Sequence, residues 1–440
     1  MAFLASQRMR HGAGPLVLAA ALPFLFLHRR YQPTVSFGQA TADLSDLAVL
    51  SVVATAAFTA PGLEAFRRTI SVWLAWAGLA LLVVLGTGWG ATRYDAYPTA
   101  THAITAAKWL EYMLLAPSVV VLVRRARDAV PLTIVLVAWS CVATAVGVVQ
   151  FFGALPDLDH TPAGRRKSSL LGYHDFSALS ALALVVAFIV IARRARSRAE
   201  RTLAAAAGSA GTVGLIIGGA FDALLGVTLA AAAVIALIRL REPRRIAAIV
   251  GVLLIAGTGT VAIRSQAVSD GLKFLGIKQG SGAASQHVQS YRQRALLAYI
   301  GVRIFVDHPL LGVGWEGSSD EYAYAPYLAD AQSRFAQPPE ALPSPQHPWG
   351  VQNAYVQALA DLGPGGLLIL LAALITPIVV AARRGTDDLR LGGICVVLVA
   401  CGVWNGFGLV AGIPLDALTW LGVGLAAASA NLHESHTGAV

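Results

Sequence analysis

Residues 181–194 read Ala-Leu-Ala-Leu-Val-Val-Ala-Phe-Ile-Val-Ile-Ala-Arg-Arg, an apolar run that stops on a basic pair. The run belongs to a longer apolar stretch, 174–192, close to the about 20 residues of helix that a bilayer core requires. The arginines continue past it as Arg193, Arg194, Arg196, Arg198 and Arg201. Such clusters are retained on the cytoplasmic side, so one short segment predicts both a membrane span and its direction. The pattern recurs, and twelve stretches are legible near 13–29, 44–60, 70–87, 103–123, 130–152, 174–192, 202–218, 220–238, 246–263, 365–382, 389–409 and 412–431. Only Gly218-Gly219 divides the seventh from the eighth.

Composition agrees. The chain has 440 residues, 56% hydrophobic and 13% charged, with a mean hydropathy of +0.64. Soluble domains carry about 25% charged residues, so the fold class is an all-α polytopic membrane protein. The net charge of +9 would suit a nucleic-acid partner, but the basic residues punctuate the apolar runs instead of forming a face. Cys141, Cys395 and Cys401 all lie in apolar runs, which predicts no disulfide framework. An Arg8/Arg10 pair precedes the first apolar stretch without a clear small-residue cleavage site, the pattern of a retained span.

Counting Lys and Arg in the connections sets the orientation. With the N-terminus inside, the inner connections hold Arg67-Arg68, Arg124-Arg125-Arg127, the cluster after 192, Arg239-Arg241-Arg244-Arg245 and Arg383-Arg384. The short outer loops hold Arg29-Arg30, Arg93 and Arg165-Arg166-Lys167. Twelve spans put both termini in the cytoplasm of an inner-membrane protein. The chain then divides into 1–263 with nine spans, a long extracytoplasmic loop 264–364, and 365–440 with three spans and a tail.

The loop is expected to be partly helical. Val288, Tyr291, Ala295, Tyr299, Val302 and Val306 recur at steps of three and four, the period of an amphipathic helix. Arg292 and Arg303 fall on nearly one face of it, and Pro309 with Gly312 ends it. Residues 337–348 read as irregular, 351–362 as helix, and Gly363-Pro364-Gly365-Gly366 as a break before the tenth span.

Several groups could carry chemistry. Arg165, Arg166, Lys167 and His174 lie in the fifth-to-sixth connection, with Arg292, Arg294 and Arg303 in the long loop. Basic clusters on the outer side run against the positive-inside bias, and Arg holds a diphosphate bidentately; the alternative is contact with outer-leaflet headgroups. Asp222 stands out as a carboxylate in an apolar setting. Lys108 and Glu111, at i and i+3, read as an ion pair on one helix face or as a relay. Metal-ligand spacings and nucleotide-binding glycine motifs are absent from the sequence, so no metal and no cofactor is expected.

Asp307-His308-Pro309-Leu310-Leu311-Gly312-Val313-Gly314 and the later Gln352-Asn353-x-Tyr355, ending Asp361-Leu362-Gly363, resemble the signature of the O-antigen ligase and polymerase family. That resemblance implies a membrane glycosyltransferase that moves a glycan from a polyprenyl diphosphate carrier onto a glycan or lipid acceptor hydroxyl, with inversion and without metal. Arg294, fifteen residues before Pro309, occupies the position of the family's arginine. Two departures stand out. The family's His-Asn dipeptide has become Gln352-Asn353, and an amide cannot act as a general base. A Ser-x-x-Arg pattern that often opens the eighth span is missing, with Phe221 where the Arg would align.

His347, five residues before Gln352, is the nearest imidazole in sequence. The expected catalytic residues are therefore His347 and Gln352. The expected substrate-binding residues are Arg292, Arg294, Arg303, Asn353, Tyr355, Arg165, Arg166 and His174. Ligase and polymerase are not separated by these residues. A secondary transporter predicts inverted repeats and broken midplane helices that the sequence does not display. A degenerate, non-catalytic family member is the other alternative, raised by the missing His and Arg.

Overall fold

The structure, a computed structural model, describes residues 2–38, 40–59, 64–195, 197–277, 290–347, 349–383, 387–410 and 412–431. Helices occupy each of the twelve apolar stretches. In chain order they are Ala2–Leu25, Leu44–Phe58, Ile70–Arg93, Thr99–Met113 continued by Leu115–Leu122, Val130–Phe151, Tyr173–Arg193, Arg198–Gly218, Phe221–Ile238, Pro243–Ile263, Ala354–Ala382, Asp388–Val403 and Ile413–Asn431. Eight of the described helices are long and apolar enough to cross a membrane, while Gly12–Leu25 and Leu44–Phe58 are apolar but shorter. The sheet content of the described residues is one hairpin, Thr34–Phe37 antiparallel to Ala40–Asp43.

The Tyr173–Arg193 helix sits at the centre, nearly enclosed by Val130–Phe151, Arg198–Gly218, Phe221–Ile238 and Asp388–Val403. Lipid offers no hydrophobic incentive for helices to associate, so close packing must come from small residues that let backbones approach. Gly226 and Gly402 provide this, since a Cβ on Gly402 would collide with the backbone of Gly226. Gly218 does the same for the start of the central helix, where a Cβ would strike Ser177 Oγ. Gly219 (φ 66°) caps its helix in the left-handed region, so the weakest sequence boundary is a real two-residue turn before Phe221.

Segment 264–353 builds a satellite core of its own. Leu296, Leu297, Ile300 and Ile304 of the Ser290–Asp307 helix pack with Val313, Tyr324 and Ala331. The expected helix is present, but its buried face is not the one expected. Val302 and Val306 are 43% and 58% exposed, because the short helices Glu321–Tyr324 and Leu328–Phe335 cover the Leu/Ile side. Val288 lies outside the described residues, as do Arg196 and Arg384 of the basic connections.

Two further expectations change. Lys108 pairs with Asp46 of a neighbouring helix at 2.9 Å, not with Glu111. The expected break at 363–366 is instead a kink inside one helix, Ala354–Ala382, with Gly363 at φ 71° and ψ −171°. Pro364 has no N–H to offer the Ala360 carbonyl, and Val313 N of the upstream motif donates to it at 3.0 Å. Gly314 N likewise donates to Asp361 O at 3.0 Å. A Cβ on Gly312 (φ 62°) would run into the Ala360-Asp361 backbone. The two halves of the sequence signature are thus one clamp, stitched through backbone left unpaired by the kink.

Candidate functional site

The site assembles around the N-terminal turn of the central helix. Lys167 is fully buried; its Nζ donates to Thr161 O at 2.5 Å and lies 3.9 Å from Asp157. Its own N–H donates to Ile217 O at 2.9 Å. Lys167 therefore anchors the connection instead of facing a ligand, and it presents Arg166 beside it. The Arg166 guanidinium stacks 4.1 Å from the Tyr173 ring centroid. Arg165 is exposed.

His174 lies between Asp222 and Arg294. Its Nδ1 is 2.7 Å from Asp222 Oδ2, and its Nε2 is 3.4 Å from Arg294 Nη2. Arg has only donors, so the geometry assigns the imidazole proton to Nδ1, donated to Asp222, and leaves the Nε2 lone pair facing Arg294. Asp222 is buried at the first turn of Phe221–Ile238, where its Oδ1 also accepts from Ala223 N at 2.9 Å. Gly406 lies against this pair, since a Cβ there would strike Asp222 Oδ2 and come 3.0 Å from Arg294 Nη1.

A third guanidinium arrives from the end of Pro243–Ile263. Arg264 Nη1 donates to Gly219 O at 3.2 Å, and its guanidinium lies 5.3 Å from the Phe221 ring centroid. Phe221 is the position where the family pattern aligns an arginine, so Arg264 returns that charge to the same place from another helix. Burial, with Arg166 and then Arg294 close by, pulls the Arg264 guanidinium down to about 10. Arg166 is lowered as well, by burial first and by Arg294 among its neighbours. Three half-buried cations crowd one carboxylate, and the charges of Arg166 and Arg264 are disfavoured as a result. An anion would relieve that cost.

Residues 206–371 match the family model described as O-antigen ligase (Wzy_C). That stretch is similar to the O-antigen ligase family. No curated protein matches the chain. The O-antigen ligase match contains Asp222, Arg264 and Arg294, whereas Arg166 and His174 precede it, so the cluster joins the matched domain to the first half of the chain. The family points to membrane glycan transfer of the ligase or polymerase type.

The structure brings together Arg166, His174 and Arg294 from the expected list. Asn353 is their neighbour at one remove: it caps Ala354–Ala382 by accepting from Val356 N at 3.0 Å, and its Nδ2 donates to Asn405 Oδ1 at 3.0 Å, next to Gly406. Tyr355 donates to Cys401 O at 2.8 Å, and Gln352 is half-buried beside the cap. Arg303 is directed elsewhere, 5.8 Å from the Tyr327 ring centroid in the long segment. Arg292 is half-buried with an Nε that has no hydrogen-bond partner among the described residues. His347 is exposed in the turn Ser344–His347, parallel to Trp349 at 6.4 Å, and no described hydrogen bond or ring contact joins it to the cluster.

Sequence reasoning missed Arg264 and gave Asp222 no partner. Arg264 carried the signal already used for its neighbours, an arginine at the end of a span. It also missed Gln357, whose Oε1 accepts from Leu409 N at 2.6 Å while Nε2 donates to Glu316 Oε1 at 2.7 Å and Asp361 Oδ2 at 2.9 Å. That knot holds the clamp. Burial and the nearby Asp361 carboxyl raise Glu316 well above the usual carboxylate range.

Proposed function

We propose that this protein transfers a glycan from a polyprenyl diphosphate carrier to an acceptor hydroxyl at the outer face of the cytoplasmic membrane. Twelve crossings with both termini in the cytoplasm and 264–364 outside are part of this reading. The observation that carries it is the crowding of Arg166, Arg264 and Arg294 around the His174–Asp222 pair. Guanidinium groups hold a diphosphate in the ground state and gain more as it leaves with its bonding electrons. This assigns to arginines the charge stabilisation that a metal gives elsewhere.

In this reading the missing family imidazole is replaced by His174 rather than His347. Diphosphate draws Arg294 off the imidazole and frees the Nε2 lone pair. The acceptor oxygen attacks the anomeric carbon as its proton passes to Nε2, and the bond from carbon to diphosphate oxygen breaks on the opposite face. Asp222 fixes the tautomer and steadies the imidazolium. A cation-rich pocket at helix ends suits this chemistry better than a transporter's midplane site, and an intact His–Asp pair argues against a non-catalytic scaffold. The test is transfer by the purified chain from a radiolabelled polyprenyl diphosphate glycan to a panel of lipid and glycan acceptors. Parent activity that His174→Ala abolishes is expected. A parent protein that binds the carrier but transfers to no acceptor in the source cell's own membranes refutes the enzyme reading.

A further inference from the structure

A cavity of about 450 Å³ opens beside the cluster and has a different chemistry. Its volume lies within the about 300–1,000 Å³ common for small-ligand sites. His174 and Asp175 are consecutive and therefore separated by ~100° around the helix. His174 meets the arginine cluster, whereas Asp175 lines the cavity. From the facing helix come Thr101, Thr105 and Lys108, spaced four and three residues apart on one face. Asp43, Asp416 and Trp109 lie behind these in the lining, each almost fully buried.

This cavity lacks the cationic excess found next door. Its two cations are already engaged: Lys108 with Asp46 at 2.9 Å, and Arg29 with Asp43 at 3.7 Å. Asp175 Oδ1 is buried with no hydrogen-bond partner among the described residues. Such an acceptor costs free energy until a donor reaches it. Carboxylates repel a diphosphate but accept from hydroxyls. The threonines can both donate and accept. Trp109 is held in place by Trp315 and Trp420 at 5.1 and 5.5 Å and by its own N–H donated to Leu409 O at 3.0 Å. That part of the lining is therefore rigid.

We infer that this cavity receives the sugar of the acceptor, so that adjacent residues of one helical turn serve an anion site for the carrier and a polyol site for the acceptor. The inference rests on the proposed transferase reading. Its chemical content is distinct, because the ligand is an uncharged, hydroxyl-rich saccharide and Asp175 is a binding residue.

The test uses the full chain in detergent and two probes: glycan released from the source cells' envelope by mild acid, and inorganic pyrophosphate, both followed by tryptophan fluorescence. The parent is expected to bind both saturably. Thr105→Phe, which fills the cavity, should weaken glycan binding more than tenfold, and Asp175→Asn severalfold, with pyrophosphate affinity unchanged in each. Arg294→Ala should do the reverse. Glycan binding that survives Thr105→Phe, or is absent from a parent that binds pyrophosphate, overturns the acceptor site and leaves the transferase reading standing. Failure of the parent to bind pyrophosphate removes the transferase reading itself.

Discussion

Arg294→Ala separates binding from stability, because in the empty protein its attraction to Asp222 offsets its repulsion of Arg166 and Arg264. Arg294 contributes one of three crowded guanidinium groups and touches His174 Nε2 at 3.4 Å. Removing one charged hydrogen-bond donor from a bound diphosphate costs ~1.5–3 kcal/mol, or roughly tenfold to over a hundredfold in affinity. Without ligand the same change relieves Arg166 and Arg264 but takes a favourable cation from Asp222, so the empty protein should melt close to the parent. Arg294→Lys keeps the charge but not the planar fork, and should retain part of the affinity. Calorimetric titration of polyprenyl diphosphate in detergent, with thermal melts at two ionic strengths, measures both. If Arg294→Ala binds like the parent, the anion site lies elsewhere. If it binds weakly only because it melts far lower, the arginine is structural and the argument from crowding fails.

His174→Ala should slow transfer by ~10²–10⁴ as expected for loss of a general base, with carrier affinity changed far less, while His347→Ala stays near parent rates in the same assay; the reverse pattern would restore His347 as the imidazole. Glu316 is raised by burial and by Asp361, so its contribution to stability is fully present below the unfolded carboxylate range and is lost as pH rises through the raised value. Glu316→Gln, which keeps an acceptor for the Gln357 amide, should flatten the fall in melting temperature from the unfolded carboxylate range up to about 8; an unchanged slope would count against this. Gln346→Cys, exposed in the long segment, should react with an impermeant maleimide on intact cells, and its protection would reverse the proposed orientation.

Some of this architecture follows from the chain alone because it depends on local composition. Apolar length sets where helices form in lipid, since every backbone group must be satisfied within the helix, and each of the twelve stretches is helical. The long polar segment and the signature pair at 307–314 and 352–363 were legible for the same reason, as departures from a uniform background. The family resemblance lay in those residues and in Arg294. Which face of the Ser290–Asp307 helix is buried was not legible, because two short helices from later in the chain decide it.

The site itself needed tertiary structure. Lys167 and Arg166 are adjacent and equally basic in sequence, yet one is buried against Asp157 and the other faces the cluster. Arg264 takes the place of an arginine missing at Phe221, a substitution in space that no spacing rule reveals. Asp222 and His174 are 48 residues apart and meet only where two helix ends converge. Apolar runs specify their own helices locally, but charges acquire partners only when packing brings distant helix ends together. The sequence therefore determined the membrane bundle and the family signature, while packing decided which cations gather around Asp222.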